Sequence, residues 1–202
     1  HVELEGGSTP STRFTNRSTE TRWELSHLPL SGWRGKLGAQ TEQSDIEASN
    51  FDGSNPTVPR TRSLALAGFA MEERDFGDVR VSVGGRLESV SRKPSSASDR
   101  SFTLTSWSAG ALWAFMPGYG LGTTFSIAQR APTAEELYSY GAHHPTETFD
   151  VGDQNLKKET SNNIELSLQK TEELLRWKAN VYQNKVKDFI YGAIGSVNLD
   201  PN

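Results

Sequence analysis

Residues 119–163 read YGLGTTFSIAQRAPTAEELYSYGAHHPTETFDVGDQNLKKETSNN, and this stretch decides how the rest of the chain is interpreted. It begins with alternating larger and small residues, breaks at Ala131-Pro132, and alternates again only from Ile164. A period of two is typical of a β-strand whose two faces meet different surroundings. Loops as long as residues 131–161 are usually functional or disordered in compact folds, so this connection is the first place to look for a site.

The same alternation recurs on the N-terminal side of this stretch. It is clearest in residues 33–42, where Trp33, Leu37 and Ala39 share one face and charged residues occupy the other, and in residues 79–88. The whole chain predicts roughly nine strands, most of them 10 to 14 residues long. The average globular strand has about 5 to 6 residues, whereas a tilted strand that crosses a bilayer needs about 9 to 11.

The predicted connections alternate in length along the chain. The short ones are residues 29–32, 74–78, 116–118 and 170–174, and the long ones are residues 6–12, 50–60, 93–100 and 131–161. Outer-membrane barrels have this pattern, with short periplasmic turns and longer extracellular loops. Aromatic residues flank the short turns and predict an interfacial row along one rim: Trp33, Trp113, Phe115, Tyr119 and Trp177.

Composition narrows the function classes. The chain has 202 residues, a formal net charge of −4 and no cysteine. The charge argues against nucleic acid as a partner, and the lack of cysteine excludes disulfides, thiolate metal sites and cysteine nucleophiles. A hydrophobic content of 34% is low for an ordinary core but fits a membrane barrel with a polar lumen.

No apolar run in the sequence is long enough for a transmembrane helix. From its two ends, at His1 and Asn202, we expect the chain to be a piece of a longer protein.

A soluble antiparallel sandwich that binds carbohydrate or another ligand is the alternative. It explains the alternation equally well, and Trp107, Trp113 and Trp177 would then form a sugar-binding face. It explains the long strands, the one-sided loops and the aromatic row less well. An enzyme is disfavoured, because the sequence has no G-x-S-x-G elbow and no histidine in a pattern that implies a base beside a nucleophile.

The opening stretch also resembles a run in the barrel of TonB-dependent outer-membrane receptors. The resemblance is carried by Arg130, Ala131, Pro132, Thr133, Glu136, Leu137, Tyr138, Gly141, Gly152, Asn155, Leu156, Glu159, Thr160, Asn163 and Glu165. Residues 22–40, 58–73, 81–88 and 178–191 resemble the same family, so the match covers most of the chain. Within the family, the chain is most similar to the branch that includes zinc-uptake receptors.

This resemblance implies an all-β fold of antiparallel up-and-down strands, as a partial segment of a roughly 22-stranded transmembrane β-barrel. Residues 1–202 would be a single segment of the barrel domain, without the N-terminal plug and the barrel termini. The whole receptor would lie in the bacterial outer membrane and import a scarce nutrient, which would be a metal ion such as zinc or a metal chelate or siderophore. Its partners would be outer-membrane lipid, its own plug domain, the substrate, and the TonB energy-coupling protein, engaged through a region N-terminal to this chain. It would require no cofactor, and zinc would be a transported ligand.

Residues 133–140 predict one short helix within the long extracellular loop. Thr133 and Glu136 have the spacing of a capping box, and Pro132 stands just ahead of them. The helix either only orders the base of the loop or forms a rigid ledge that holds a ligand-facing segment.

Four residues further along the loop are candidate metal ligands, namely His143, His144, Asp150 and Asp153. Neutral imidazole and carboxylate suit zinc or another divalent ion. Adjacent residues of an extended chain point in opposite directions, so at most one of the two histidines would face a given site. A solvated polar loop is the alternative, with residues 152–155 forming a turn back to the next strand.

One face of the predicted strands is charged and is expected to line a wet lumen. It carries Arg34, Lys36, Gln40, Glu42, Arg80, Arg86 and Glu88. In an intact receptor these side chains would contact the plug rather than the substrate. In a soluble sheet they would be an ordinary solvated face.

Overall fold

The structure is a computed structural model that describes residues 2–5, 9–50, 57–143, 148–171 and 174–195. Strands dominate these residues. In chain order the elements are β1 (Val2–Glu5), β2 (Thr9–Leu30), β3 (Trp33–Asn50), β4 (Val58–Phe76), β5 (Val79–Pro94), β6 (Arg100–Met116), β7 (Tyr119–Arg130), α1 (Ala134–Tyr138), β8 (Tyr140–His143), β9 (Thr148–Val151), β10 (Glu159–Lys170) and β11 (Trp177–Lys187).

Nine of these strands form one antiparallel sheet in the order β1-β2-β3-β4-β5-β6-β7-β10-β11. Neighbours in the sheet are also neighbours along the chain, except that β7 pairs with β10 across a long connection. Within that connection, β8 and β9 pair with each other. The prediction of an all-β, up-and-down architecture with one short helix near residues 133–140 is confirmed. No helix in the described part of the chain is long and apolar enough to cross a membrane.

Short and long connections lie at opposite ends of the sheet, as predicted. Residues 31–32, 77–78 and 117–118 make tight turns at one end. Gly32 has a φ of 82°, a conformation that glycine adopts without steric cost. At the other end the chain connects β3 to β4, β5 to β6 and β7 to β10. Residues 51–56 and 144–147 of these connections, and residues 172–173 of the predicted short turn 170–174, lie outside the described residues. We call these two ends the short-turn end and the long-loop end.

The predicted long loop of residues 6–12 is wrong for residues 9–12, and residues 6–8 lie outside the described part of the chain. β2 begins at Thr9, and its first residues already pair with β1 through Glu5↔Thr9 and Leu4↔Pro10. The cluster of Gly, Ser, Thr and Pro suggested a loop. Proline is tolerated at a strand start or bulge, and the register indeed shifts between Glu3 and Leu4.

Several strands extend further toward the long-loop end than the sequence predicts. β3 continues to Asn50, β4 begins at Val58, and β10 begins at Glu159, whereas alternation is visible only up to Glu47 and from Thr61 and Ile164. The residues that extend β3 and β10 are polar on both faces, apart from Ala48. The strands therefore keep their pairing but lose the alternation of apolar and polar residues.

The loss of alternation near Gln183 has the same cause. β10 and β11 pair in unbroken register from Lys170↔Trp177 to Thr160↔Lys187, so no bulge interrupts the strand. The residues on the apolar side simply change from Val181 to Gln183 as the strand leaves the apolar layer.

The strand register divides the sheet into two faces of different character. On the first, Trp23, Ala39, Gly68 and Leu87 lie side by side on four neighbouring strands. Large side chains exposed on this face are Trp23, Leu25, Leu37, Leu66, Val83, Leu87, Trp107, Phe125, Ile164, Leu166, Leu168 and Val181. We call it the outer face, and its apolar middle zone the belt. An exposed apolar surface of this extent marks contact with a membrane or a partner.

The opposite face, which we call the inner face, is polar. The predicted charged residues Arg34, Lys36, Gln40, Glu42, Arg80, Arg86 and Glu88 all lie on it. The described residues contain no second large sheet packed against either face, since the only other sheet is the β8–β9 hairpin. The described residues therefore do not form the predicted alternative, a sandwich of two packed sheets.

The predicted aromatic row is confirmed at the short-turn end. Phe115 bridges Trp113 and Tyr119 with ring centroids 5.7 Å and 6.2 Å apart, and Tyr119 lies 6.5 Å from Trp177. All five tryptophans of the chain lie on the outer face. Tryptophan and tyrosine are enriched where a membrane meets water, so the row marks one boundary of the belt.

Candidate functional site

The long connection between β7 and β10 folds back over the inner face at the long-loop end. Residues 131–139, which we call the ledge, contain α1 and pack on the sheet through Leu137, which is 1% exposed. Beneath it lie Val90, Phe102 and Leu104 from β5 and β6. This small apolar cluster is the main core among the described residues, and it fixes the ledge to the wall of the sheet.

The start of α1 is capped on both sides, as the sequence predicts. The Thr133 Oγ1 accepts a hydrogen bond of 3.2 Å from the backbone nitrogen of Glu136, and the Glu136 Oε2 accepts one of 2.8 Å from the backbone nitrogen of Thr133. Reciprocal bonds of this kind satisfy donors that a helix start would otherwise leave open. Pro132 is fully buried just ahead of the cap.

Arg130 joins four parts of the site, one of them through Glu159. Its guanidinium donates two bonds to Glu136, of 2.9 and 3.1 Å, and one bond of 2.6 Å to Glu159. The other Glu159 oxygen accepts a 2.6 Å bond from the backbone nitrogen of Ile190. One arginine therefore links the end of β7, the helix, the start of β10 and the segment after β11.

The ledge is also held by groups from the neighbouring strands. The Arg92 Nε donates to the Pro132 carbonyl at 3.2 Å, and the Tyr138 hydroxyl donates to the Ser98 carbonyl at 3.1 Å. Burial raises the pKa of the Tyr138 phenol, although the charge of Arg100 opposes this, so the hydroxyl remains a donor at physiological pH. Sequence reasoning missed Arg92 because it precedes its partner by 40 residues.

The β8–β9 hairpin continues directly from the ledge. The Tyr140 nitrogen donates to the Thr57 carbonyl at 2.7 Å, and the Gly152 nitrogen donates to the Ser139 carbonyl at 2.7 Å. A Cβ at Gly152 would come within 2.7 Å of the backbone of Leu137. Only glycine permits so close an approach of two backbones.

The structure describes the side chains of two of the four predicted metal ligands, Asp150 and Asp153. His144 and the side chain of His143 lie outside the described residues. Asp150 lies on β9 opposite Gly141. The Asp153 Oδ1 accepts a 2.7 Å bond from the Asn155 nitrogen, which supports the interpretation of residues 152–155 as a turn. In the described ranges, no group of three or more His, Cys, Asp or Glu residues could hold a metal ion.

A cavity of about 360 Å³ lies beside the ledge at the long-loop end. Its lining combines backbone and small polar groups with a few larger side chains: Pro59, Ser96, Ala97, Leu137, Tyr138, Ser139, Tyr140, Gly152 and Gln154. Binding sites commonly use a few polar groups in such a concave setting. The ledge and hairpin thus form a structured concave surface at this end.

Below the ledge, the inner face carries a chain of paired charges. The Glu24 carboxylate contacts Arg22 at 2.6 Å and Lys36 at 3.4 Å. The Gln40 Oε1 accepts bonds of 3.3 Å from Arg22 and 2.8 Å from Arg86.

Nearer the short-turn end, the inner face carries a second group of charges. Arg34 contacts Glu73 and Asp75, and Arg80 contacts Asp75. The inner face is thus highly polar, and most of its charged side chains are paired with an opposite charge.

Comparison with known proteins shows which family has this architecture. The family described as TonB dependent receptor-like, beta-barrel matches residues 4–201. The copper transporter OprC has a similar structure, with a TM-score of 0.72, 19% sequence identity, and coverage of 89% of this chain and 31% of that one. A double mutant of the Serratia marcescens hemophore receptor HasR, in complex with its hemophore HasA and heme, gives a TM-score of 0.68 at 16% identity, with coverage of 88% and 34%.

The two structural likenesses show the fold, and the chain spans about a third of the length of either structure. The family match, however, covers nearly the whole chain. It also agrees with three features of the structure: one apolar and one polar face of the sheet, the aromatic row, and long connections at one end only of the described sheet. Proteins of this family are receptors of the outer membrane rather than enzymes, and they need no cofactor. The chain belongs to the TonB-dependent receptor family, as part of its outer-membrane β-barrel.

Proposed function

We propose that the chain forms part of an active-transport receptor that binds a scarce nutrient at the long-loop end and passes it along the inner face. The observation that carries this proposal is the arrangement of the ledge. The ledge lies directly over the polar inner face. It is held there by its capping box, by the bonds of Arg130 and by the packing of Leu137. A rigid support at the entrance of a polar passage is suited to hold a ligand-facing segment, such as the β8–β9 hairpin.

Two protein partners belong to this proposal. A plug domain would lie against the inner face, where cations and carboxylates alternate and could exchange partners with plug charges. TonB would engage a region of the receptor outside this chain and supply the energy for plug movement. Residues 1–202 would then act as one segment of the barrel domain, in agreement with their match to about a third of each related structure.

For the substrate, we propose a metal ion such as zinc, or a metal chelate such as a siderophore. His143 at the end of β8 and Asp150 on β9 occupy register positions two residues apart along one hairpin, and His144 is the next residue in the sequence. Imidazole and carboxylate are suitable ligands for zinc. The names of the two related structures, a copper transporter and a hemophore receptor bound to heme, also concern metals in ionic and chelated form.

Uptake by cells tests the transport proposal. Cells that carry only the full-length receptor should accumulate radiolabelled zinc or a labelled metal chelate, and a protonophore should abolish the accumulation because the energy comes from the inner membrane. Deletion of the receptor should remove the same uptake. Equal uptake with and without the receptor, for every metal and chelate tested, would refute the transport proposal.

Titration calorimetry of zinc with the full-length receptor tests the ligands separately. His143→Ala and His144→Ala should differ, since only one of two adjacent residues faces a given site, and Asp150→Ala should weaken binding alongside the effective histidine. His27→Ala is the matched control, because His27 lies on the outer face with its Nε2 2.8 Å from Glu72. Zinc affinity unchanged in all loop variants would exclude the hairpin as the metal site, while leaving the uptake result intact.

A further inference from the structure

A histidine and a glutamate face each other on the outer face, in apolar surroundings near the short-turn end. The His27 Nε2 lies 2.8 Å from the Glu72 Oε1, and the His27 Nδ1 lies 2.8 Å from the Leu28 carbonyl oxygen. The side chains of His27 and Glu72 are 28% and 33% exposed. Ionisable groups are costly on a membrane-facing surface and are usually retained there for a function, so this pair points to a role of its own.

The pair joins β2 to β4 across the intervening strand β3. The register places His27 beside Gly35 and Gly35 beside Glu72, so the backbones of His27 and Glu72 are about 10 Å apart at the usual strand spacing. A Cβ at Gly35 would lie 2.7 Å from both the Cδ and the Oε2 of Glu72. The glutamate side chain therefore lies over Gly35, and the missing side chain at that position allows the two groups to meet.

His27 occupies the last regularly paired position of β2 before the turn. The register shifts directly after it, and the next pair is Leu30 with Trp33. Leu28 and Leu30 are 88% and 73% exposed, so their side chains contribute little packing to the turn. The contact between His27 and Glu72 thus ties the start of the β2–β3 turn to β4.

The two contacts of His27 require a proton on each ring nitrogen. The Leu28 carbonyl and the Glu72 carboxylate are both acceptors, whereas a neutral imidazole has a single N–H group. A neutral ring would turn a lone pair toward one of these oxygens, but an imidazolium donates to both. Among the described residues, the Glu72 Oε2 is buried and accepts no hydrogen bond. The carboxylate therefore depends on the protonated His27 Nε2 for its donor.

Few other charges lie close to this pair. Among the described residues within two register positions on the outer face, the other charged side chain is Arg74, whose guanidinium lies over the Phe76 ring at 4.6 Å. On the inner face at the same level, Arg34 contacts Glu73 and Lys36 contacts a carboxylate of that face. The sheet separates these inner charges from His27, so Glu72 is the group that governs its proton. The nearest neighbours on the outer face are apolar, namely Leu25, Leu37, Ala70 and Val83.

We propose that His27 and Glu72 form a proton-dependent clamp that fastens the β2–β3 turn to β4. In acid medium the imidazolium donates to both oxygens, and the clamp is closed. As the pH rises, the Nε2 gives its proton to water and its lone pair faces the carboxylate, so the clamp opens and the turn becomes mobile. The stability that the pair contributes is therefore present at low pH and lost as the pH rises through the titration of His27. The clamp lies at the opposite end of the sheet from the proposed nutrient site and does not depend on it.

The mobility of a nitroxide label at the turn tests the clamp in the full-length receptor in bilayers. A label at Ser31→Cys should become about threefold more mobile between about pH 5 and about pH 9, which bracket the usual titration of histidine, because a partly screened ion pair is lost. A label at Asp78→Cys, in the β4–β5 turn at the same end of the sheet, should keep the same mobility over this range.

Substitution of either partner should remove the pH dependence at Ser31→Cys. Glu72→Gln takes away the carboxylate, and His27→Gln takes away the titrating group. Glu73→Gln is the matched control, because Glu73 is the next carboxylate of β4 but lies on the inner face with Arg34, and it should keep the full response. The proposal is overturned if the label in the unmodified receptor does not respond to pH, if both Glu72→Gln and His27→Gln keep the response, or if Glu73→Gln loses it as well.

Nitrogen NMR of the receptor with isotope-labelled histidine gives an independent reading that needs no change at Glu72. The signals that disappear in His27→Gln belong to His27. Both of its ring nitrogens should carry protons at about pH 5, and one of them should lose its proton by about pH 9. A neutral His27 ring at about pH 5 would also overturn the clamp.

Discussion

Gly152 lies where the chain leaves β9 and passes the end of α1. A Cβ there would be 2.7 Å from backbone atoms of Leu137 and Tyr138 and 2.8 Å from the Ser139 nitrogen. Because backbone atoms cannot rotate away, we expect Gly152→Ala to destabilise the attachment of the hairpin to the ledge by about 1–3 kcal/mol. Hydrogen exchange of residues 134–141 in the full-length receptor should become faster.

Gly85→Ala is the control for that substitution, since a Cβ at Gly85 meets no atom within 4 Å. Its effect on stability should stay within about 0.5 kcal/mol. Unchanged exchange around α1 in Gly152→Ala would show that the close approach of the two backbones has been misjudged.

Arg130 offers a second test at the level of single residues. Its bidentate contact with Glu136 spans the junction of β7 and α1, but the arginine side chain is 44% exposed, so solvent screens the pair. A double-mutant cycle with Arg130→Gln and Glu136→Gln should give a coupling energy of about 0.5–1 kcal/mol for the unfolding of the ledge. Strictly additive effects would mean that the contact contributes nothing to holding the ledge.

At this scale the sequence predicts local contacts and misses distant ones. The capping box can be recognised in the sequence because its two partners, Thr133 and Glu136, lie three positions apart along the chain. The bond between Arg130 and Glu159 joins residues 29 apart, and their meeting depends on the register of β7 and β10. The contribution of His143 and His144 stays a prediction, because sequence proximity alone does not determine which side chains share a site.

At the scale of elements, strands are predictable where their two faces meet different media. The bounds of β7, Tyr119–Arg130, agree with the prediction, because this strand alternates along its length. β10 shows the opposite case. Its first residues, from Glu159 to Asn163, are polar on both sides. The sequence therefore predicts a loop up to residue 161 and alternation only from Ile164, although these residues continue the ladder with β7.

Two adjacent threonines on β7 allow a matched test of the two faces. Thr123 lies on the outer face opposite Leu166, and Thr124 lies on the inner face opposite Glu165. Thr123→Arg should reduce the free energy of unfolding from bilayers by about 2–4 kcal/mol, because it places a charge in the hydrocarbon layer. Thr124→Arg should have a much smaller effect, since it gains a carboxylate neighbour in a polar setting. Urea titration of the full-length receptor in lipid vesicles measures both, and equal losses would contradict the assignment of the faces.

At the scale of the whole molecule, the sheet separates an apolar surface from a polar one across a single layer. This property was predictable from the sequence because the bilayer imposes period two on every strand that crosses it. The details of the candidate site were less predictable. The ledge follows from local signals, whereas the Arg22–Gln40–Arg86 connections of the inner face depend on the pairing of three different strands.

We conclude that the outer face contacts lipid and the inner face does not. Nitroxide labels at each of residues 163–168 on β10, in the full-length receptor in bilayers, test it most directly through their collision rates with oxygen, which concentrates in lipid. The register places 164, 166 and 168 on the outer face and 163, 165 and 167 on the inner face. We predict high oxygen accessibility at the first three positions and low accessibility at the other three. A profile without this alternation, or with its maxima at 163, 165 and 167, would show that the two faces have been assigned wrongly.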